Sequence, residues 1–449
     1  MKRIIDHFLH NWRTSYLRTP LLVRGARQIG KTHSIRQFGK TFSSFVELNF
    51  EQMPEARNIF ARDFVAERIL RAITAITQQQ IIPGETLLFL DEIQAAPETL
   101  IALRYLYEEV PELHVIAAGS LLDFAIAKVG LPVGRVTSFY MTPLSFAEYL
   151  SAIGASITLE MILTNKIEDM PEVIHTQTLR LISEYLAIGG MPRMVAAWAH
   201  EGNILNTSVL ATSLLDTYRD DFEKYGTRFQ VPYLNKVFAS IPHQLGNKFK
   251  FSLVEGDFRK RELLPCLDLL ETAGVARRVT RTAAQGIPVG AGAYLDDYKV
   301  ILLDIALTQY MLDFNPGSWA LDPLSVFVNK GPLVEAFVGQ ELKAYAHPMK
   351  QSQLYYWRRD VAGSEAEIDY VIQRREHIIP IEVKSGQGRT LRSMQQFLDT
   401  HPNTPYGMRF STHTHSIYEK IYSYPLYALA QVCTQDDQEM RAALMSLSV

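Results

Sequence analysis

The chain has 449 residues, 47% hydrophobic and 21% charged, with a formal net charge of −3, which points to about three domains. That balance excludes a chain-wide electrostatic attraction to nucleic acid, so DNA or RNA would need a local basic patch. No apolar run reaches the roughly 20 residues that span a bilayer, and Cys266 and Cys433 are too few and too far apart for a disulfide framework or a zinc site.

The first residues mix Lys2, Arg3, Asp6, His7, His10 and Arg13 with apolar side chains. This pattern lacks the uncharged stretch of a secretory signal and predicts an amphipathic opening helix. A cytoplasmic protein without a membrane partner is the expectation. Residues 20–23 (PLLV) then form a short apolar run with the character of a buried parallel strand. Directly after it stand Gly25, Ala26, Arg27, Gln28, Ile29, Gly30, Lys31 and Thr32, followed by a helix-compatible stretch from His33 to Phe38 with Gly39 as its stop. This is the Walker A pattern G-x-x-x-x-G-K-[ST] in its strand–loop–helix setting. The glycines let successive N–H groups turn inward around phosphates. Lys31 reaches the β- and γ-phosphates, and the Thr32 hydroxyl ligates Mg²⁺. The helix start, with His33 in its first turn, adds its positive end. The implied cofactors are ATP and Mg²⁺.

Residues 86–90 (TLLFL) form an apolar strand ending in Asp91 and Glu92, a Walker B arrangement. Asp91 is placed to hold Mg²⁺ and Glu92 to polarise the attacking water. A third strand, residues 114–118 (HVIAA), ends in Gly119 and Ser120. Ser120 could contact the γ-phosphate from there, although Gly-Ser is also ordinary turn chemistry.

The wording of this loop resembles that of bacterial and archaeal AAA-type ATPases that carry a domain of unknown function behind the ATPase core. Further matching segments are Phe89-Leu-Asp-Glu-Ile-Gln94, Gly119-Ser-Leu-Leu122, Gly134-Arg135, Pro143-Leu-Ser-Phe146 and Gly189-Gly-Met-Pro-Arg193. The resemblance implies an AAA-type ATPase with a C-terminal effector region. It also singles out Arg135 as an arginine that could offset γ-phosphate charge, in cis or across a homo-oligomer, with Arg193 as a second candidate. A surface or structural arginine is the plainer alternative for each.

Residues 151–227 read as helical, interrupted at Pro171 and Gly189-Gly190, and suit a lid. The acidic group Asp216, Asp220, Asp221 and Glu223 reads as a solvated face or an interdomain contact rather than a metal site. Residues 234–279 read as helix, turn, helix, with Arg259-Lys260-Arg261 opening the second helix and strand-like segments after Gly274. This resembles a winged helix, serving either DNA or protein packing, with packing favoured.

In the last third, a helix over residues 333–345 carries Glu335, and strand-like runs follow at 354–358, 366–373 and 378–384. Asp369 lies on the second run, and Glu382 and Lys384 share one face of the third. An acid on a helix, an Asp on a strand and Glu-x-Lys on the next is the arrangement of the restriction-endonuclease-like fold. There, carboxylates hold Mg²⁺ and the lysine serves the attacking water.

The expected architecture is therefore α/β. A P-loop AAA-type domain (1–150) precedes a helical lid (151–228), a winged-helix-like domain (229–315) and a restriction-endonuclease-like domain (316–449). The expected function is an ATP-driven switch acting on the C-terminal domain. The alternatives are an ATP-gated nuclease on DNA or RNA and a non-enzymatic, ATP-dependent scaffold.

Overall fold

A computed structural model describes residues 1–327, 330–360, 366–385 and 391–448. Five short strands, β1 (Leu21–Arg24), β2 (Ser44–Asn49), β3 (Thr86–Asp91), β4 (His114–Ala118) and β5 (Thr137–Tyr140), form the first sheet in the order β2-β3-β4-β1-β5. Every pairing is parallel. β3 and β4 are buried along their whole length, which is why both read as unbroken apolar runs. Because all strands point one way, the loops after β1, β3 and β4 emerge at one edge of the sheet. Parallel α/β sheets bind ligands at that edge.

The opening helix, Ile4–Thr14, buries Ile4, Ile5, Phe8, Leu9 and Trp12 on one face. The helix Lys31–Gly39 follows the loop after β1. Beyond β5, helices Ser156–Thr164, Glu172–Ile188, Pro192–Glu201 and Ile204–Tyr225 account for the helical stretch, with breaks at Pro171 and Gly189-Gly190. The Gly-Gly break is fixed from both sides: the Leu144 N–H donates to Gly190 O at 2.7 Å, and the Gly190 N–H donates to Asp304 Oδ2 at 2.7 Å.

Helices Val231–Ser240 and Lys260–Thr272 precede a hairpin of β6 (Ala276–Thr282) and β7 (Ala293–Leu302). Pro265 lies inside the second helix. The hairpin is not free. β6 also pairs in parallel with β8 (Leu354–Arg358), which pairs with β9 (Glu367–Ile368), giving the sheet β7-β6-β8-β9. The last sheet contains β10 (Tyr370–Arg374), β11 (His377–Lys384), β12 (Gly407–Ser411), β13 (Ser416–Tyr418) and β14 (Ile421–Pro425), in the order β10-β11-β12-β14-β13. Helix Gly331–Ala344 is buried along most of its length and links this region to the part of the chain built on the first sheet. Its Glu341 accepts the Phe146 N–H at 3.1 Å.

Glu341 is 1% exposed, and burial pushes its carboxyl up to about 8. A carboxyl raised in the fold above its unfolded value favours the folded state below about pH 4.5, and that contribution is lost as pH rises through about 8. Glu341→Gln, neutral at every pH, is expected to flatten this part of the stability–pH curve, as read by urea unfolding from pH 5 to 9. An unchanged slope would refute this account of Glu341. Among the described residues, no helix is long and apolar enough to cross a membrane.

Candidate nucleotide site

The loop after β1 carries its geometry in three left-handed positions, Gly25 (φ 140°), Gln28 (φ 63°) and Gly30 (φ 96°). A Cβ on Gly25 would stand 2.5 Å from the Met141 carbonyl oxygen, so the loop can approach β5 this closely only with glycine there. Lys31 folds over the loop and donates to Gly25 O at 2.8 Å and Ala26 O at 2.7 Å. An ammonium has three donors, so one remains for a ligand. Burial pushes Lys31 down to about 8, against the pull of Glu92 and Asp91.

Thr32 donates to Asp91 Oδ2 at 3.1 Å, so the two expected Mg²⁺ ligands already face each other. Asn49, at the end of β2 and in register with Asp91, donates to the same oxygen at 3.1 Å. Burial and then the charge of Glu92 push Asp91 up to about 6, a strain that a divalent cation would relieve. Glu92 sits in a left-handed turn (φ 54°), and Gln94 Nε2 donates to its Oε2 at 2.6 Å. Asn49 escaped the motif reading, and Gln94 entered it only as the end of a matching segment, without a role. A polar residue at the tip of a strand was the available signal for Asn49. Ser120 is 7% exposed, and its hydroxyl has no hydrogen-bond partner among the described residues. A buried unpaired hydroxyl at this edge is what a phosphate oxygen or water would satisfy. The residues present therefore fit Mg²⁺ and a triphosphate.

The remaining loop residues are tied to other parts of the chain. Ala26 and Ile29 are buried, whereas His33 lies exposed on the first helical turn. Arg27 pairs with Asp221 at 3.0 Å, and its carbonyl accepts the Tyr218 hydroxyl at 2.8 Å. Both partners belong to helix Ile204–Tyr225, so Asp221 is an interdomain contact. Arg3 donates to Ile29 O at 2.9 Å and to Glu148 Oε1 at 2.8 Å, fastening the opening helix to the loop. Of the two arginine candidates, Arg135 lies on the surface, paired with Glu108 at 2.8 Å. Arg193 is exposed beside Pro192, whose ring would lie 3.4 Å from a Cβ on Gly30. Pro192 thus packs against the loop at Gly30 with Arg193 as its exposed neighbour in the chain, while Arg135 is held at Glu108.

The C-terminal candidates also converge. Asp369, in the bend between β9 and β10, accepts the Val383 N–H at 2.7 Å, and Lys384 pairs with Glu382 at 2.6 Å. Unforeseen in the sequence is Lys299 of β7, 2.7 Å from Glu335 Oε1 and 2.6 Å from Glu367 Oε1, with its side chain 3% exposed. Burial raises the Glu335, Asp369 and Glu382 carboxyls, and their mutual charge adds to it for Glu335 and Glu382. Burial disfavours the Lys299 cation, but Glu335, Glu367 and Asp369 outweigh it and raise its pKa. No group of three or more His, Cys, Asp or Glu among the described residues is arranged to hold a metal ion.

Residues 17–150 match the family model described as an AAA domain. Residues 179–318 match a domain of unknown function, DUF8612, and residues 330–429 another, DUF4143. No curated protein matches the chain. Among solved structures, the chain is similar to the Walker-type ATPase PABY2304 of Pyrococcus abyssi at 13% identity and a TM-score of 0.42, covering 68% of this chain and 94% of that one. It is also similar to the Aeropyrum pernix ORC1 protein in complex with DNA at 12% identity and a TM-score of 0.28, covering 71% and 92% respectively. Residues 17–150 are thus an AAA-type P-loop domain, joined to two regions whose families have no assigned function.

Proposed function

We propose that this chain binds Mg-ATP at the loop after β1 and hydrolyses it. The observation that carries this is the convergence of Lys31, Thr32, Asp91 and Glu92 on one sheet edge, with Thr32 and Asp91 in direct contact. Lys31 and the loop amides would hold the phosphates, and Thr32 and Asp91 the metal. Mg²⁺ supplies charge neutralisation to the phosphates. Glu92, oriented by Gln94, takes up a proton from the attacking water. Ser120 and Arg193 are proposed contacts to the γ-phosphate end, and Arg135 is left for a role in trans if the chain assembles with itself. Lys31→Ala is expected to weaken ATP binding by about 100-fold or more, since it removes a charge-assisted contact made in a dry site. Calorimetric titration checks this, and wild-type affinity in the variant would refute the assignment.

The nucleotide state would reach the rest of the chain through Arg27, because its Asp221 and Tyr218 partners lie on the lid helix. A winged-helix reading of residues 229–315 in a packing role is supported by β6, which is flanked on both sides and built into the sheet with β8. For the C-terminal region we favour a restriction-endonuclease-like fold that binds a partner rather than cutting nucleic acid. Lys299 supports this, since its ammonium stands among the carboxylates where a divalent cation would be needed. Single- and double-stranded DNA and RNA are expected to survive incubation with the protein, Mg²⁺ or Mn²⁺, and ATP. Cleavage that disappears in Lys384→Ala would restore the nuclease reading.

A further inference from the structure

A cavity of about 290 Å³ lies between the ATPase core and the C-terminal region. Its walls include Gly25, Ala26 and Ser120 at the loop edge, Arg277 on β6, and Lys343 and Lys350 at the end of the linking helix and just beyond. The carboxylates on its rim already have partners: Asp123 pairs with Arg24, and Glu271 with Arg278 at 2.5 Å. The Arg277 side chain makes no hydrogen bond or ion pair with any described residue, and among the described residues the Lys343 ammonium donates only to the Ser352 carbonyl. Burial lowers both cations against the pull of Glu271, and Arg277 adds to the effect on Lys343, which is pushed down to about 7.

Arg277 and Lys343 are half-buried neighbours whose one nearby carboxylate, Glu271, is already engaged by Arg278, and cations so under-compensated are costly unless something anionic joins them. A guanidinium fork beside an ammonium suits a phosphate, whose charge of roughly −1.5 to −2 near neutral pH matches theirs. The volume sits at the lower end of ligand pockets, which run from about 300 Å³, so it admits a phosphate on a small group but not a whole nucleotide or a peptide. The cavity also touches the loop. A Cβ on Gly274, in the turn leading to β6, would lie 3.3 Å from Ala26 N.

We propose that this cavity is a second phosphate-binding site, in which Arg277 and Lys343 hold a phosphate dianion between the P-loop domain and the C-terminal region. The phosphate could be free in solution, or it could be the terminal phosphate of a nucleotide, a source that rests on the ATPase reading above. Calorimetric titrations of the full chain with inorganic phosphate, ATP and ADP separate the two. They would use the wild type, Lys31→Ala, Arg277→Gln and Lys343→Met.

For free phosphate, wild type and Lys31→Ala bind inorganic phosphate alike, and Arg277→Gln and Lys343→Met each bind it about tenfold or more weakly. For the terminal phosphate, the same two variants lose about tenfold in ATP affinity while ADP affinity stays at the wild-type value. The proposal is overturned if phosphate binding and the ATP-to-ADP affinity ratio are the same in wild type and in both variants, with circular dichroism showing each variant folded. A wild type that binds phosphate through Arg277 but no nucleotide would refute the ATPase reading and sustain this site.

Discussion

Glu92→Gln is expected to bind Mg-ATP with wild-type affinity and hydrolyse it about 100- to 10,000-fold more slowly, the range for losing a general base. The amide keeps the size of the side chain and its hydrogen bond to Gln94 but cannot accept the proton of the attacking water. Because Glu92 lies beside Asp91, the substitution also removes a neighbouring negative charge that pushes Asp91 up. Metal binding should therefore be undiminished, and the loss should fall on kcat rather than on affinity. Steady-state turnover beside equilibrium nucleotide binding distinguishes the two. A variant that turns over at the wild-type rate would remove Glu92 from the mechanism.

The second large effect is expected far from the motif, at Arg3. Its guanidinium is spread over Glu148, the Ile29 carbonyl and the Thr142 carbonyl at 2.7 to 2.9 Å, with Arg3 5% and Glu148 2% exposed. Removing one partner of a buried pair leaves the other charge uncompensated, at about 3–5 kcal/mol. Arg3→Ala should lower the unfolding free energy by that amount, and it should weaken ATP binding because the Ile29 carbonyl loses its anchor. Urea unfolding reads the first effect, and a loss below about 1 kcal/mol, the level of an exposed pair, would contradict the buried-pair account.

Arg3 also shows where the sequence stops being readable. Lys31, Thr32, Asp91 and Glu92 are legible because each sits at a fixed offset from an apolar strand, and a parallel sheet brings strand ends together whatever the rest of the chain does. Arg3 meets Glu148 across 145 positions and Lys299 meets Glu335 across 36, and neither separation follows from any local period. Such pairs depend on the packing of whole elements, which alternation and helical spacing do not encode. Strand limits followed the same logic. β4 and β8 match their apolar runs, whereas the run at 366–373 is split by Asp369 into β9 and β10. Arg135 matched a family pattern, but the chain folds it onto Glu108 at the surface. The acidic cluster around helix Ile204–Tyr225 drew attention by composition alone, and only the fold shows Asp221 holding Arg27.

The most direct test of the central claim is phosphate release by the purified wild-type chain at saturating ATP, with Mg²⁺ or with excess EDTA, beside Lys31→Ala as blank. The account predicts steady turnover with Mg²⁺, none above blank with EDTA, and none from Lys31→Ala. Turnover that persists in Lys31→Ala, or a folded wild type that releases no phosphate with Mg²⁺, would contradict it.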